Sequence, residues 1–232
     1  LRNLAKRACD VAKLQPENPE FKGLPAPRKI TNVAAFDRSA ADCTPERRAA
    51  VAGVICKKAA GAGFSGAGSV TTSAFSMGVA NSKGVFAEHE STAVDASTVI
   101  MGNTSSGWAQ CSGWRMDAID PESLADEALM KVRIGADPVD FEPGDYTVIL
   151  DPYATSDLME MLAFDGMGAL AFQEERSWMN GRLGERIMAD SVTIVDDGLD
   201  PAGIPMPFDF EGVPKEIVEI VKSGVAVSPV YD

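Results

Sequence analysis

Histidine is almost missing: the 232 residues contain one, His89. Hydrolytic zinc sites usually take two or three histidines and keep an open position for water, so a conventional zinc site built by this chain alone is excluded. A serine or cysteine nucleophile needs a positioned base, and only His89 is available for that role. It lies in Phe86-Ala-Glu-His-Glu-Ser, an alternating stretch beside a turn, and reads as a surface or edge residue. Long apolar runs are also lacking, since none approaches the roughly 18–20 residues that a membrane-crossing helix needs. The four cysteines, Cys9, Cys43, Cys56 and Cys111, form no CxxC pair. That spacing argues against a disulfide scaffold and for a reducing, cytoplasmic compartment. No Walker motif occurs, and Gly61-x-Gly63-x-x-Gly66 follows a helical pattern rather than a strand, so it is no dinucleotide fingerprint.

What is present is enough apolar material, 45% of residues, for a sizeable core. The net charge of −13 is unevenly spread: residues 1–61 carry 12 basic against 6 acidic residues, and residues 62–232 carry 9 against 28. Phosphate backbones repel so acidic a surface, which argues against nucleic-acid binding.

The pattern predicts an α+β chain. Apolar residues three and four apart predict a helix over 1–15, closed by Pro16 and Pro19. Thr44-Pro45 opens an Ala-rich helix to about Ala60, a cap residue followed by proline at the first helical position. Residues 63–116 read as an antiparallel sheet of three or four strands, with a turn at Asn81-Ser82-Lys83-Gly84. Asp120-Pro121 starts a helix to about Ile134. After a Pro/Gly loop, Tyr146–Leu150 reads as a short buried strand, 154–172 as one helix, and 187–196 as another strand. Val218 to Val230 flank Ser223-Gly224 like a hairpin. The domain division expected is 1–140, the second half of an N-terminal α/β-type domain with a helix-flanked antiparallel sheet, and 141–232, a strand-helix-strand opening of a β-rich C-terminal domain. The start inside a helical pattern and the end at Asp232, where a next strand is expected, read as a fragment of a longer chain.

Two acidic features invite a chemical reading. Asp165 falls on the apolar stripe of the 154–172 helix, beside Gly166 and Gly168, and a buried carboxylate there needs a partner. Either a site or a glycine-mediated close packing explains it. Phe208-Asp-Phe-Glu-Gly212 alternates apolar and acidic residues, so Asp209 and Glu211 are expected to project to one side of an extended segment before Gly212. They are candidates for a substrate groove or a structural role.

Several short motifs together resemble the TldD/PmbA family, also called modulator of DNA gyrase and regarded as peptidase-related. They are Phe21-Lys-Gly-Leu-Pro25, Ala80-Asn-Ser-Lys-Gly84, Gly144-Asp-Tyr-Thr-Val-Ile-Leu-Asp-Pro152, Gly181-Arg-Leu-Gly-Glu185, Thr193-Ile-Val-Asp-Asp-Gly198 and Phe208–Gly212. In the TldD branch the helix after the Leu-Asp-Pro strand carries an HExxxH zinc motif. That motif falls here on Phe164-Asp-Gly-Met-Gly-Ala169, so Phe164 and Ala169 stand at the two ligand positions, Asp165 at the acid and Gly168 at the motif's glycine. The resemblance therefore implies the PmbA (TldE) branch. It implies a subunit with no catalytic residue, no metal and no cofactor of its own, with zinc expected only in a TldD-like partner. Its implied partners are that peptidase subunit or a second copy, and its substrates peptides, with neither nucleic acid nor membrane. Two alternatives stay open: a self-sufficient hydrolase with a carboxylate metal site on Asp165, Asp209 and Glu211, and an assembly or gyrase-associated interaction module.

Overall fold

The structure is a computed structural model and describes residues 1–16 and 21–231. The fold is α+β, with two separate three-stranded antiparallel sheets. Helix α1 (Arg2–Ala12) buries no residue, although its apolar positions recur as a helix requires. Pro16 follows it closely, while Pro19 lies outside the described residues.

The first sheet orders β1 (Ser65–Ala80), β2 (Phe86–Met101) and β3 (Ser106–Gly113), so the expected three or four strands are three. Asn81 makes the tight β1–β2 turn. Its side-chain oxygen accepts from the N–H of Lys83 at 2.9 Å and of Val85 at 3.1 Å, and Gly84 takes φ +97°, which costs a glycine little. The same side chain donates to the carbonyl of Pro25 at 2.9 Å, tying the Phe21–Pro25 segment to the hairpin tip.

In the second half of β2 the even-numbered residues Val94, Ala96 and Ile100 face two helices, α3 (Pro45–Gly61) and α4 (Pro121–Ile134). Both begin as their sequence predicts. Thr44 accepts from the N–H of Arg47, Asp120 from those of Glu122 and Ser123, and each cap precedes a proline. Ile55 and Ala59 of α3 and Leu124, Ala128 and Val132 of α4 complete this core. A short helix, α2 (Arg38–Ala41), lies beside it.

The second part departs more from the sequence pattern. Tyr146–Leu150 forms no strand, and Ile149 is fully exposed. A strand needs a neighbour to take its backbone groups, and none of the described residues supplies one there. The single helix expected over 154–172 is two, α5 (Pro152–Gly166) and α6 (Ala169–Gln173). Of residues 187–196 only β4 (Ile194–Asp196) is strand; it pairs with β5 (Val218–Lys222), which pairs with β6 (Val225–Ala226). Ser223 and Gly224 both have positive φ in that last turn, the geometry that suits a two-residue hairpin. Met167, Met179, Ile220, Val221 and Ala226 form the second core.

The two parts meet along a seam. Tyr153 at the start of α5 donates its hydroxyl to the Gln110 carbonyl at 2.8 Å and accepts from the Gln110 N–H at 3.1 Å, closing the outer edge of β3 at that residue. Its ring packs edge-on against Trp108 and lies beneath the Lys131 ammonium. Trp114 donates to the Pro201 carbonyl at 2.9 Å, and His89 bonds the Pro205 carbonyl at 3.1 Å.

Candidate functional site

The break between α5 and α6 is a long-range construction. The Val230 N–H donates to the Met167 carbonyl at 2.8 Å, and the Ala169 N–H donates to the Val230 carbonyl at 2.7 Å. These two bonds form a parallel bridge of Gly168 with Val230 and take backbone groups that a continuous helix would have used. Gly166, just before the break, is buried, and a Cβ there would meet Trp178 Cδ1 at 2.7 Å and Ser177 Oγ at 2.9 Å. Its carbonyl also accepts from the Ser177 hydroxyl. Of the two readings offered for this glycine-rich stretch, close packing accounts for Gly166.

Asp165 is exposed, as is Phe164 at 85%, so the expected burial of that carboxylate is corrected: the helix turns this face outward. Ala169 is buried at 7%, and Gly168 is exposed. Asp209 and Glu211 are not on an extended segment either. Asp209 Oδ1 accepts from the N–H of Glu211 and of Val213, both at 2.9 Å, folding 208–213 into a tight turn. Gly212 takes φ +81° and sits against Val85 and Val79 of the hairpin, where a Cβ would lie 2.6 Å from Val85 Cγ1. Phe208, fully buried, faces the His89 ring edge-on. This turn is thus a close contact between loop and hairpin, and at Gly212 a side chain would not fit.

The turn also walls a pocket of about 700 Å³, together with Arg28, Lys215, Glu216, Val230 and Tyr231. Val230 links the pocket to the α5–α6 break, so Asp209 and Glu211 and the Gly168–Ala169 junction come into one neighbourhood. Sequence reasoning missed Arg28, Lys215 and Tyr231; no spacing relates them, since three distant segments meet only in the fold.

A zinc ion fits poorly here. Of the four positions 164, 165, 168 and 169, only Asp165 offers a donor side chain, and among the described residues no cluster of three or more His, Cys, Asp and Glu is arranged to hold a metal. Asp165, Asp209 and Glu211 form no such cluster.

Two family models match, the PmbA/TldA metallopeptidase central domain over residues 21–135 and the PmbA/TldA metallopeptidase C-terminal domain over residues 143–232. The chain belongs to the PmbA/TldD family. A protein named uncharacterized protein MJ0231, from Methanocaldococcus jannaschii, is 29% identical over 155 residues, which is 66% of this chain and 36% of that protein. Three solved structures share the fold. One from Bacteroides thetaiotaomicron, named a candidate modulator of DNA gyrase, has a TM-score of 0.85 and 21% identity, covering 99% of this chain and 55% of its own. Another of that name, from Thermotoga maritima, has a TM-score of 0.83 and 20% identity, covering 96% and 53%. TldE from Thermococcus kodakarensis has a TM-score of 0.78 and 20% identity, covering 98% and 53%. The chain spans about half the length of these solved relatives.

Proposed function

We propose that this PmbA/TldD-family chain is a TldE-like, non-catalytic subunit of a TldD-type metallopeptidase acting on peptides. The observation that carries the reading is the donor set on α5 and α6: a phenyl ring at 164 and a methyl at 169 stand where the resemblance places zinc ligands. Neither side chain can donate an electron pair to a metal, and no other described group compensates. Family membership and the likeness to TldE support it further.

The test is metal analysis and peptide cleavage with the full-length protein, alone and with a zinc-bearing family member. The expected result is substoichiometric transition metal and no cleavage alone, with cleavage by the mixture. Stoichiometric metal and cleavage by this chain alone would overturn the reading in favour of the carboxylate hydrolase. Replacing both Phe164 and Ala169 by His is expected to leave the lone chain inactive, because a third ligand and the groups that orient the histidines are also required. Cleavage by that double variant, measured on an unfolded peptide, would contradict it.

A further inference from the structure

The first sheet has a face packed on helices and a face turned away from them. Val94, Ala96 and Ile100 of β2 and Ala109 of β3 lie in the core with α3 and α4, so their neighbours along each strand point the other way. Register sets those neighbours in rows across the three strands: Thr71, Asp95 and Ser112 form one row, and Ser69, Ser97 and Gln110 the next. Ser69, Thr71 and Ser112 are exposed, and Asp95, Ser97 and Gln110 are half-buried. Ionisable groups are scarce on this face. Neither β1 nor β3 sends one to it, and β2 sends only Asp95 and, close to the hairpin turn, His89.

Asp95 is held in place by neutral groups. Its Oδ2 accepts from Gln110 Nε2 and from Ser112 Oγ, both at 2.6 Å. Gln110 is fixed in turn, because the Tyr153 hydroxyl engages both its N–H and its carbonyl. Among the described residues Asp95 Oδ1 takes no hydrogen bond and no cation. The carboxylates with local structural roles in this chain behave differently: Asp37, Asp120, Asp151 and Asp209 all accept from backbone N–H groups at a helix start or a turn. Asp95 bonds only side chains of the neighbouring strand, and a neutral amide oxygen could accept from the same two donors. Those bonds do not require the charge, and a half-buried carboxylate without a cation is costly to keep.

We infer that Asp95 is a specificity-determining residue that takes a lysine or arginine side chain of an extended peptide lying on this face of the sheet, the cation donating to Oδ1. The inference rests on the proposed role in handling peptides and names the residue that selects among them. Charge complementarity chooses the occupant, since Asp95 is a lone fixed anion in neutral surroundings. A carboxylate already locked by Gln110 and Ser112 loses little freedom when the cation arrives. The hydroxyls of Ser69, Thr71 and Ser97 both donate and accept, so they can bond a peptide backbone of any sequence. The rows thus offer one position that reads charge among several that do not.

The experiment uses the full-length protein, alone and mixed with a zinc-bearing family member stripped of its metal, and two unfolded peptides identical except that one lysine is acetylated in the second. Binding is read by fluorescence anisotropy. The expected result is roughly threefold tighter binding of the lysine peptide, the scale of a partly exposed ion pair. Asp95→Asn should abolish that preference. Glu88→Gln, the same change in charge at an exposed residue whose side chain points to the opposite face, should keep it. Ser112→Ala, which frees the carboxylate without removing it, should weaken the preference, and this variant decides if Asp95→Asn fails to fold by circular dichroism. An unchanged preference in Asp95→Asn, equal losses for both peptides, or no binding of either peptide overturns the inference. Cleavage by the metal-loaded mixture without a lysine preference overturns it and leaves the proposed function standing; cleavage by this chain alone, with the preference intact, does the reverse.

Discussion

Gly107 marks the tightest approach in the first core. A Cβ there would lie 1.9 Å from the Ala128 carbonyl oxygen and 2.6 Å from the Val132 nitrogen, both backbone atoms of α4. Gly107→Ala must therefore push helix from sheet, and is expected to lower unfolding free energy by about 1–3 kcal/mol in urea denaturation. Asp37 works by charge instead. The Met116 N–H donates to it at 2.8 Å and Ser39 donates through backbone and hydroxyl, holding its carboxyl below the usual 3.8 despite some desolvation. Because the folded value is depressed, its stabilisation is present above that ordinary value and is lost as pH falls through the folded one. The stability gap between wild type and Asp37→Asn should be widest near neutrality and close in acid, as read from urea midpoints across pH. Neither residue was visible as special in the sequence: one glycine among many and one aspartate before Arg-Ser declare no partner, since Ala128 and Met116 are distant in the chain.

At the scale of elements, local chemistry was legible and remote chemistry was not. Thr44-Pro45 and Asp120-Pro121 announce helix starts because cap and proline act within one turn. The two α3 and α4 helices and the β1–β2 hairpin turn follow from patterns a few residues long. The α5–α6 break eludes such reading because Val230 makes it, and Asp165 was expected inside because a stripe says which residues share a face but not whether anything covers that face. The motif correspondence at 164–169 was legible, yet its surroundings, the bridge to Val230 and the neighbouring pocket, needed the fold. Tyr153 offers a measurable element-level effect. Tyr153→Phe removes a hydroxyl that engages both backbone groups of Gln110 and contacts Glu127 at 3.2 Å. Hydrogen exchange at the Gln110 amide should accelerate, with about 1 kcal/mol of stability lost. Nearby, the Ala154 N–H and Lys131 hold the Asp151 carboxyl below its usual range. Burial works against charge on Lys131, but Glu127 and Asp151 hold its ammonium above the usual lysine range.

For the whole molecule, α+β class and family were readable from composition, order and motif; the seam was not, because its bonds run between surfaces with no shared periodicity. Charge acts at this scale. With −13 overall and acidic residues concentrated beyond residue 61, the proposed function carries the expectation that bound peptides are enriched in lysine and arginine. Pull-down from a charge-varied library should show that bias, and it should weaken as salt rises, since the Debye length shortens to about 8 Å by 0.15 M. Absence of any bias would remove surface charge from the account of substrate choice.

His89 gives this protein a built-in reporter. The chain holds no other imidazole, and this one is lodged where the β-hairpin meets the 205–208 loop, its ring nitrogen on Pro205 and its edge toward Phe208. A proton spectrum of these 232 residues should therefore contain a single histidine ring system, ring-current shifted by that phenyl group. When the loop parts from the hairpin, that one resonance is free to move, and the event can be followed without attaching any label.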